Sequence, residues 1–468
     1  MGVSAERPTP RAAVTGRAET NMTALFDYRP RVAADFEFSE PAQLRATQLS
    51  LLREHIAYLL SHSPHYAGRF AEIGLVPEAL HDLDDLGRVP VLTAKRDLEL
   101  AGDRFLCVGA DAVADLCLTS GTTGKPVALF QTAHDIGRFA YNEEISFRAV
   151  GVTAGERVTV AAALDRCFMA GFAYALGLSR IGATVIRAGS SSVAMLAGVV
   201  QEYRPTTLVG VPTFMLALAE RLGEMGVGAA GCGVRRLVCI GEPVRRRDLA
   251  LSALGERLRQ AWQAEVYGTY ATTELATALA DCAQGCGGHL HPDLLVLEIL
   301  DDEGRPVPAG TAGEVVATPL QVTGTPLFRF RTGDVAQLHE ERCACGRYSP
   351  RLGPILGRKN EMLKFRGTTV FPPAIFSAIQ ALPYVQDYYI EVRAGFDLSD
   401  QIRVVVGLAE GCGVKAERIA DEIRAQVRVK PEVVCQSVAE VRARTLQPDK
   451  RKAVRFFDLR QRAGGVTE

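Results

Sequence analysis

The stretch from Leu116 to Leu129, "LCLTSGTTGKPVAL", sets an apolar, strand-like run directly ahead of hydroxyls and glycines. Glycines let backbone N–H groups converge on an anion, and the hydroxyls add donors. The loop is not a Walker A motif. Two residues separate Gly121 from Gly124 and Pro126 follows Lys125, whereas that motif needs four residues and then Ser or Thr after its lysine. Alone, it leaves two readings open, a phosphate cradle and an ordinary glycine-rich turn. A second constellation is built of cysteine and histidine. "DCAQGCGGHLH" and "CACG" combine a C-x3-C-x2-H-x-H pattern with C-x-C. Thiolates and imidazoles at such spacing suit tetrahedral zinc, with metal-free thiols as the alternative.

The elements that must position these groups are legible as texture. Residues 40–80 repeat apolar positions at three- and four-residue spacing and predict helix. In "DLDDLGRVPVLTAKRDLEL" a turn precedes a new helix, with Thr93 as its cap. From Asp115, short β-type runs ("ADLCLTS", "RVTVAAAL", "ATVIRAG", "TTLVGVPT", "RRLVCIGEP") alternate with amphipathic stretches such as "TFMLALAERLGEMG". That alternation predicts an α/β fold with a parallel sheet covered on both faces. From Leu294 the texture turns hairpin-like. Beyond "GPILGRKNEMLKFRG" come a helix ("PPAIFSAIQAL"), two strands ("DYYIEVR", "QIRVVVGLAE"), a helix ("VKAERIADEIRAQVRV") and a strand ("EVVCQSVAEV"), a compact α+β unit. The expected division is a disordered tail at 1–30, a large α/β unit with a zinc-binding insert at 31–357, and a small unit at 358–468.

Bulk properties narrow the class. The chain has 468 residues, 47% hydrophobic and 23% charged, with a net charge of −1, ordinary values for a globular enzyme. No basic excess points to nucleic acid and no polybasic run to an anionic membrane. No apolar run reaches the ~18 residues of a membrane span. The first residues lack an apolar signal core, and Glu6 stands where a myristoylation site has Ser or Thr. The expected location is the cytoplasm. An odd count of 11 cysteines argues against a disulfide framework and for buried core thiols.

Five motifs then occur in a fixed order. "LTSGTTGKPV" resembles the phosphate loop of the adenylate-forming enzymes, the acyl-CoA synthetases and aryl-acid ligases. "YATTE" (270–274) resembles their Tyr-Gly-x-Thr-Glu motif, and "FRFRTGD" (328–334) their Tyr-x-Thr-Gly-Asp motif. "GRKNEMLKFRG" (357–367) resembles the hinge, and "RKAVRFFDLR" (451–460) the C-terminal lysine segment. The similarity is closest to the phenylacetate–CoA ligase branch, through "SPHYAGRFAEIGL", "RPTTLVGVPTFML", "IGEPV" and "CACGRYSPRLGPILGR". Three departures stand out. Ala271 replaces a glycine, with "VYG" just upstream as an alternative register; Asn360 replaces the hinge aspartate; Arg451 replaces the glycine before the lysine.

The resemblance implies a large N-terminal domain, a mobile C-terminal lid and a set of roles. Thr119, Ser120, Gly121, Thr122, Thr123 and Gly124 would hold the β- and γ-phosphates of ATP, with Gly241, Glu242, Pro243 and Thr273 also at the nucleotide. Glu274 would hold Mg²⁺, Tyr270 would stack near adenine, Asp334 would accept the ribose hydroxyls, and Arg358 would lie by ribose or phosphate. Lys452 would stabilise the transition state of carboxylate attack on the α-phosphate, with Lys450 in reserve. Asn360 is the implied hinge. The zinc set implied is Cys282, His289, Cys343 and Cys345, with Cys286 and His291 as spares. Phe168, Ala170, Gly171, Val211, Pro212 and Ile240 would line an acyl pocket suited to an aryl or arylalkyl acid, and Asp165 and Arg166 are candidates to mark a polar substituent. The implied activity is acyl-adenylate formation followed by transfer to CoA. A carrier-protein thiol, an amine, or nitrite activation for diazotisation are the alternative acceptor chemistries, a non-catalytic nucleotide-binding protein is the alternative class, and a homodimer is an open assembly.

Overall fold

The computed structural model describes residues 28–90, 93–119, 126–165, 167–190, 192–365, 368–394, 400–409, 411–446 and 453–460. Two helices open the chain, α1 (Pro41–His62) and α2 (Pro64–Ile73). A short strand, β1 (Thr93–Ala94), runs into α3 (Lys95–Ala101). Thr93 is not the cap expected. It lies buried in β1, where its hydroxyl donates to the Phe328 carbonyl at 2.9 Å, and Asp97 accepts from the Ala94 amide instead. Strands β2 (Val113–Leu118) and β3 (Ala128–Thr132) form an antiparallel hairpin leading into α4 (Ala133–Ala149). "ADLCLTS" is therefore a hairpin arm and not a member of the parallel sheet, because its partner, β3, lies just beyond its own loop.

The alternation beyond α4 yields the α/β layer. In order come β4 (Arg157–Ala161), α5 (Met169–Ile181), β5 (Thr184–Arg187), α6 (Val193–Tyr203), β6 (Thr207–Gly210), α7 (Pro212–Glu224), β7 (Arg236–Cys239), α8 (Ala253–Trp262), β8 (Glu265–Thr272) and β9 (Thr277–Ala280). Among the described residues the sheet runs β5-β4-β6-β7-β8-β9, parallel except for the last pair. Period-two alternation sends neighbouring side chains to opposite faces. Leu208 and Leu237 join a core with Leu196, Leu218 and Trp262 beneath α6, α7 and α8. Val209 and Val238 join one with Phe147, Tyr174 and Leu178 beneath α4 and α5. Burial on both faces explains why these strands read as apolar runs.

A second sheet follows: β10 (Gly288–His289), β11 (Leu295–Leu300), β12 (Ala312–Pro319), β13 (Phe330–His339), β14 (Arg351–Leu352) and β15 (Gly357–Arg358). The hairpin read after Leu294 is β11–β12, paired from Leu295↔Pro319 to Leu300↔Glu314. The chain then builds β16 (Leu363–Phe365), β17 (Thr368–Val370), α9 (Pro372–Gln380), β18 (Val385–Ala394), β19 (Asp400–Leu408), α10 (Ala416–Val427), β20 (Glu432–Gln436), α11 (Val438–Thr445) and β21 (Phe456–Asp458). Leu363, Ile375, Ile390, Val404, Ile419 and Ile423 form a core of their own. "EVVCQSVAEV" is only half strand. Ser437 accepts from the Glu440 amide at 3.2 Å and Glu440 reaches back to the Ser437 amide, a capping box that starts α11. Tyr28, inside the stretch expected to be a tail, is buried against Tyr141.

Helix α4 locks the two sheets together through a buried polar face. Arg138, 1% exposed, donates to the carbonyls of Leu320, Ala276 and Leu294 and to the Thr277 hydroxyl. Asn142 brackets the Ala278 amide and carbonyl, and Asp135 accepts from the Thr323 and Gly324 amides. Arg138→Met would leave several buried carbonyls unpaired, and a loss of more than about 3 kcal/mol is expected in urea unfolding. At the sheet's other end Glu156 accepts from Thr206 at 2.6 Å and from Arg236 at 2.7 Å, tying the starts of β4, β6 and β7. Burial would raise its pKa, but these donors outweigh it and hold the carboxyl at about 2, against 4.5 when unperturbed. A depressed carboxylate stabilises above its unfolded pKa, so this contribution is complete above pH 4.5 and fades as pH falls towards 2. Glu156→Gln should lower the unfolding midpoint at pH 7 and flatten its decline over that acid window.

Candidate active site

The carboxyl ends of parallel strands open onto a common edge, the usual place for ligands in such sheets. Four of the candidate groups sit there. The loop after β4 reaches Phe168, at the N-cap of α5. The end of β6 leads into Val211 and Pro212 at the start of α7. The end of β7 leads into Ile240, Gly241, Glu242 and Pro243, and the far half of β8 carries Tyr270, with Thr273 and Glu274 in the turn to β9. Phe168 and Glu274 lie 106 positions apart in the chain and reach one edge only because successive strands lie side by side.

The described residues that flank the expected phosphate loop lie near this edge. Leu118 at the end of β2 donates its amide to the Cys167 carbonyl at 2.9 Å, and buried Thr119 pairs with Val127 through both backbone and hydroxyl. The inner end of the hairpin thus lies beside the Cys167–Phe168 segment. Ser120, Gly121, Thr122, Thr123 and Gly124 lie outside the described residues, as do Lys125 and Arg166.

Asp334 comes from the second sheet. Its carboxylate accepts the Tyr270 hydroxyl at 2.8 Å on one oxygen and faces Arg358 Nε at 3.4 Å on the other. Strand pairing sets the second contact, since Asp334 and Arg358 are register partners across β13 and β15. Burial pushes the Asp334 carboxyl up despite Arg358. Burial, then Asp334, pushes the Tyr270 phenol well above its ordinary value, so it stays a donor. The alternative tyrosine register is excluded by packing: Tyr267 is buried in the apolar core beneath α4 and α5. Half-buried Glu274 has no hydrogen-bond partner among the described residues and is free to take a cation.

Not every candidate points into the edge. Glu242 accepts from the Thr213 amide and hydroxyl, both at 3.0 Å, at the start of α7, where a helix favours negative charge. Gly171 is a packing glycine: a Cβ there would lie 2.3 Å from the Ala163 carbonyl oxygen. Ala170, Val211 and Ile240 share the cluster containing Tyr174 and Val238. Asn360 lies in the single turn Lys359–Glu361 after β15. Lys452 and Lys450 both lie outside the described residues.

The cysteine–histidine set converges. The ligand atoms of Cys282, His289, Cys343 and Cys345 all lie within 4.8 Å of one another. The Cys282 and Cys343 sulfurs are 3.7 Å apart, and Cys345 Sγ is 3.6 Å from His289 Nε2. A tetrahedron with zinc–ligand arms of about 2.0–2.3 Å has edges of roughly 3.5–3.8 Å, so the spacing fits zinc. Burial pushes the His289 imidazole down to about 4, which keeps it neutral and able to ligate. Its other nitrogen meets Ser349 Oγ at 3.0 Å, fixing the ring. Of the spares, Cys286 stays 3.3 Å from Cys343, whereas His291 turns away to Ser146 and Glu37. Arg347, which sequence reading passed over, bridges Cys345 and Glu37 at 3.4 and 2.6 Å. Its place two residues past the C-x-C was the available signal.

Comparison with known proteins places the chain in a family. Residues 78–324 match the family described as AMP-binding enzyme, and residues 367–460 match the AMP-binding enzyme C-terminal domain. A phenylacetate-coenzyme A ligase of Thermus thermophilus is 30% identical over 390 residues, 81% of this chain and 85% of the relative. One from Escherichia coli is 28% identical over 446 residues, 90% and 96% of the two chains. In fold, the chain resembles a 2-hydroxyisobutyryl-CoA ligase in its postadenylation state, with a TM-score of 0.82 and 23% identity, covering 92% of this chain and 94% of that one. In the thioesterification state the same enzyme gives a TM-score of 0.67. Among the described residues no helix is long and apolar enough to cross a membrane.

Elemental analysis of purified protein should find about one zinc per chain. Cys343→Ser should lose it together with thermal stability, and a metal-free preparation of undiminished stability would refute the site.

Proposed function

We propose, from the premise that the chain belongs to the AMP-binding enzyme family, that it is an AMP-forming acid–CoA ligase acting on an aryl or arylalkyl acid. The observation that carries the reading is the convergence of Tyr270, Asp334 and Arg358 beside the strand ends. CoA is taken as the acceptor because the relatives named above are CoA ligases.

ATP would lie along the common edge. Residues 119–124 would cradle its β- and γ-phosphates through backbone amides and hydroxyls. The two oxygens of Asp334 would accept the ribose hydroxyls, with Arg358 and Tyr270 holding the carboxylate in place. Magnesium, where bound, would screen the phosphate charge, and Glu274 is the residue to hold it. The acid would enter between Phe168, Ala170, Val211 and Ile240. A carboxylate oxygen attacks the α-phosphorus, a bond to that phosphorus forms, the bond to the β-phosphate oxygen breaks, and pyrophosphate leaves. Lys452 would stabilise the charge on that in-line transition state. The thiol sulfur then attacks the acyl carbon and AMP departs.

The division at residue 357 belongs to the same proposal, with 358–468 as a lid turning at Asn360. So do the structural zinc on Cys282, His289, Cys343 and Cys345 and a cytoplasmic location. The zinc would hold 282–289 against 343–345 and take no part in the chemistry.

Lys452→Ala should cut ATP–pyrophosphate exchange by at least about 100-fold and spare thioester formation from preformed acyl-AMP. Lys450→Ala should leave both steps near wild type. The reverse pattern would move the role to Lys450.

A further inference from the structure

Helix α4 buries Ile136, Phe139, Ala140, Glu143 and Phe147, an apolar stripe at helical spacing with one carboxyl in it. A local rule broken on a core face marks either strain or function. The other buried polar side chains of α4 are accounted for: Asp135, Arg138 and Asn142 bind backbone groups, and Ser146 meets His291. Glu143 differs. It is 6% exposed, and among the described residues it has no hydrogen-bond or ion-pair partner. Its carboxyl is therefore an unpaired polar group on a buried face.

Its neighbours lead to the residues proposed to line the acyl pocket. Gly177 brings α5 against Glu143, since a Cβ there would lie 2.4 Å from the Glu143 Cβ. One turn earlier Tyr174 is buried, edge-on to Phe147 at 5.8 Å, and lies in the electrostatic field of Glu143. Its hydroxyl pairs with the Thr269 side chain, and Thr269 donates to the Cys239 carbonyl at 3.3 Å. Thr269 immediately precedes Tyr270, and Cys239 immediately precedes Ile240. Tyr174 shares its apolar cluster with Ile240, Ala170 and Val211. Three polar groups from α4, α5 and β8 therefore stand behind the walls assigned to the acid. Burial pushes the Glu143 carboxyl up to about 8 with no cation contributing, so it is protonated at neutrality.

We propose that Glu143, backed by Tyr174 and Thr269, is a specificity determinant that selects an acid bearing an amino or hydroxyl group at the end remote from its carboxylate. The proposal rests on the ligase reading and narrows its substrate class. A plain aryl acid leaves the carboxyl unpaired in an apolar site, whereas a donor on the substrate satisfies it.

The test measures pyrophosphate release by the full chain with matched arylalkyl acids, unsubstituted, amino-substituted and hydroxy-substituted. Wild type should prefer a substituted acid by at least about ten-fold in kcat/KM. Glu143→Leu restores the apolar stripe, so it should keep the melting temperature and erase or invert that preference. Glu143→Gln, which keeps an acceptor but cannot ionise, separates the two donors: it should keep a preference for hydroxyl and lose one for a charged amine, whose binding draws the proton off the Glu143 carboxyl. It also carries the test if the leucine variant misfolds. Equal use of plain and substituted acids by wild type, or a ratio unchanged in both variants, overturns the proposal while leaving a ligase. If no acid releases pyrophosphate, the ligase reading fails and the proposal falls with it.

Discussion

The buried guanidinium of Arg138 ties together the two sheets that frame the candidate site. Arg138 reaches from α4 to the end of the parallel sheet at Ala276 and Thr277, and to the second sheet at Leu294 and Leu320. A charged group of this kind is tolerated in a core only when its donors are satisfied. The backbone carbonyls of both sheets satisfy them together, so the two sheets can sit in few other relative positions. Tyr270 belongs to one sheet and Asp334 to the other, and their 2.8 Å contact exists because α4 has set that position.

The rest of the site depends on strand ends. Parallel strands linked by covering helices place their carboxyl ends along one line, and each contributes a loop there. Chemistry is divided accordingly. β2 and β3 carry the residues flanking the glycine-rich segment, β7 and β8 lead to the residues proposed for the nucleotide, and β4 and β6 to those proposed for the acid. The cysteine–histidine set lies away from that line and joins the β9–β10 connection to the segment after β13. Its four side chains supply all the ligands a tetrahedral metal accepts, which leaves no open position for substrate.

Much of this was legible in the sequence where the signal is local. The alternation of apolar runs gave the α/β layer, and the "LLVLEIL" hairpin formed as read. Local signals misled where a neighbouring side chain decided the outcome. "ADLCLTS" looked like any other strand of the sheet, yet β3 captured it. Thr93 had the right residue type for a cap, but Tyr66 and the Phe328 carbonyl hold it in a strand. The end of "EVVCQSVAEV" became helix because Ser437 and Glu440 cap each other, a pattern that the apolar run obscured.

By itself the sequence determined the chemistry available: glycines and hydroxyls for phosphate, carboxylates for ribose and cation, lysines for charge, thiolates and imidazole for zinc. Ordered motifs state which groups exist and in what order, because each motif is short and its residue types are dictated by what they bind. The family resemblance already favoured Tyr270 and His289, and the tertiary structure decided which groups meet. Tyr270 rather than Tyr267 reaches Asp334, His289 rather than His291 joins the thiols, and Glu242 is spent on a helix start. It also showed Glu143 buried in α4 without a partner among the described residues. These outcomes depend on register and on partners far away in the chain, and such distances are fixed only when side chains pack and every buried polar group must find, or lack, a partner.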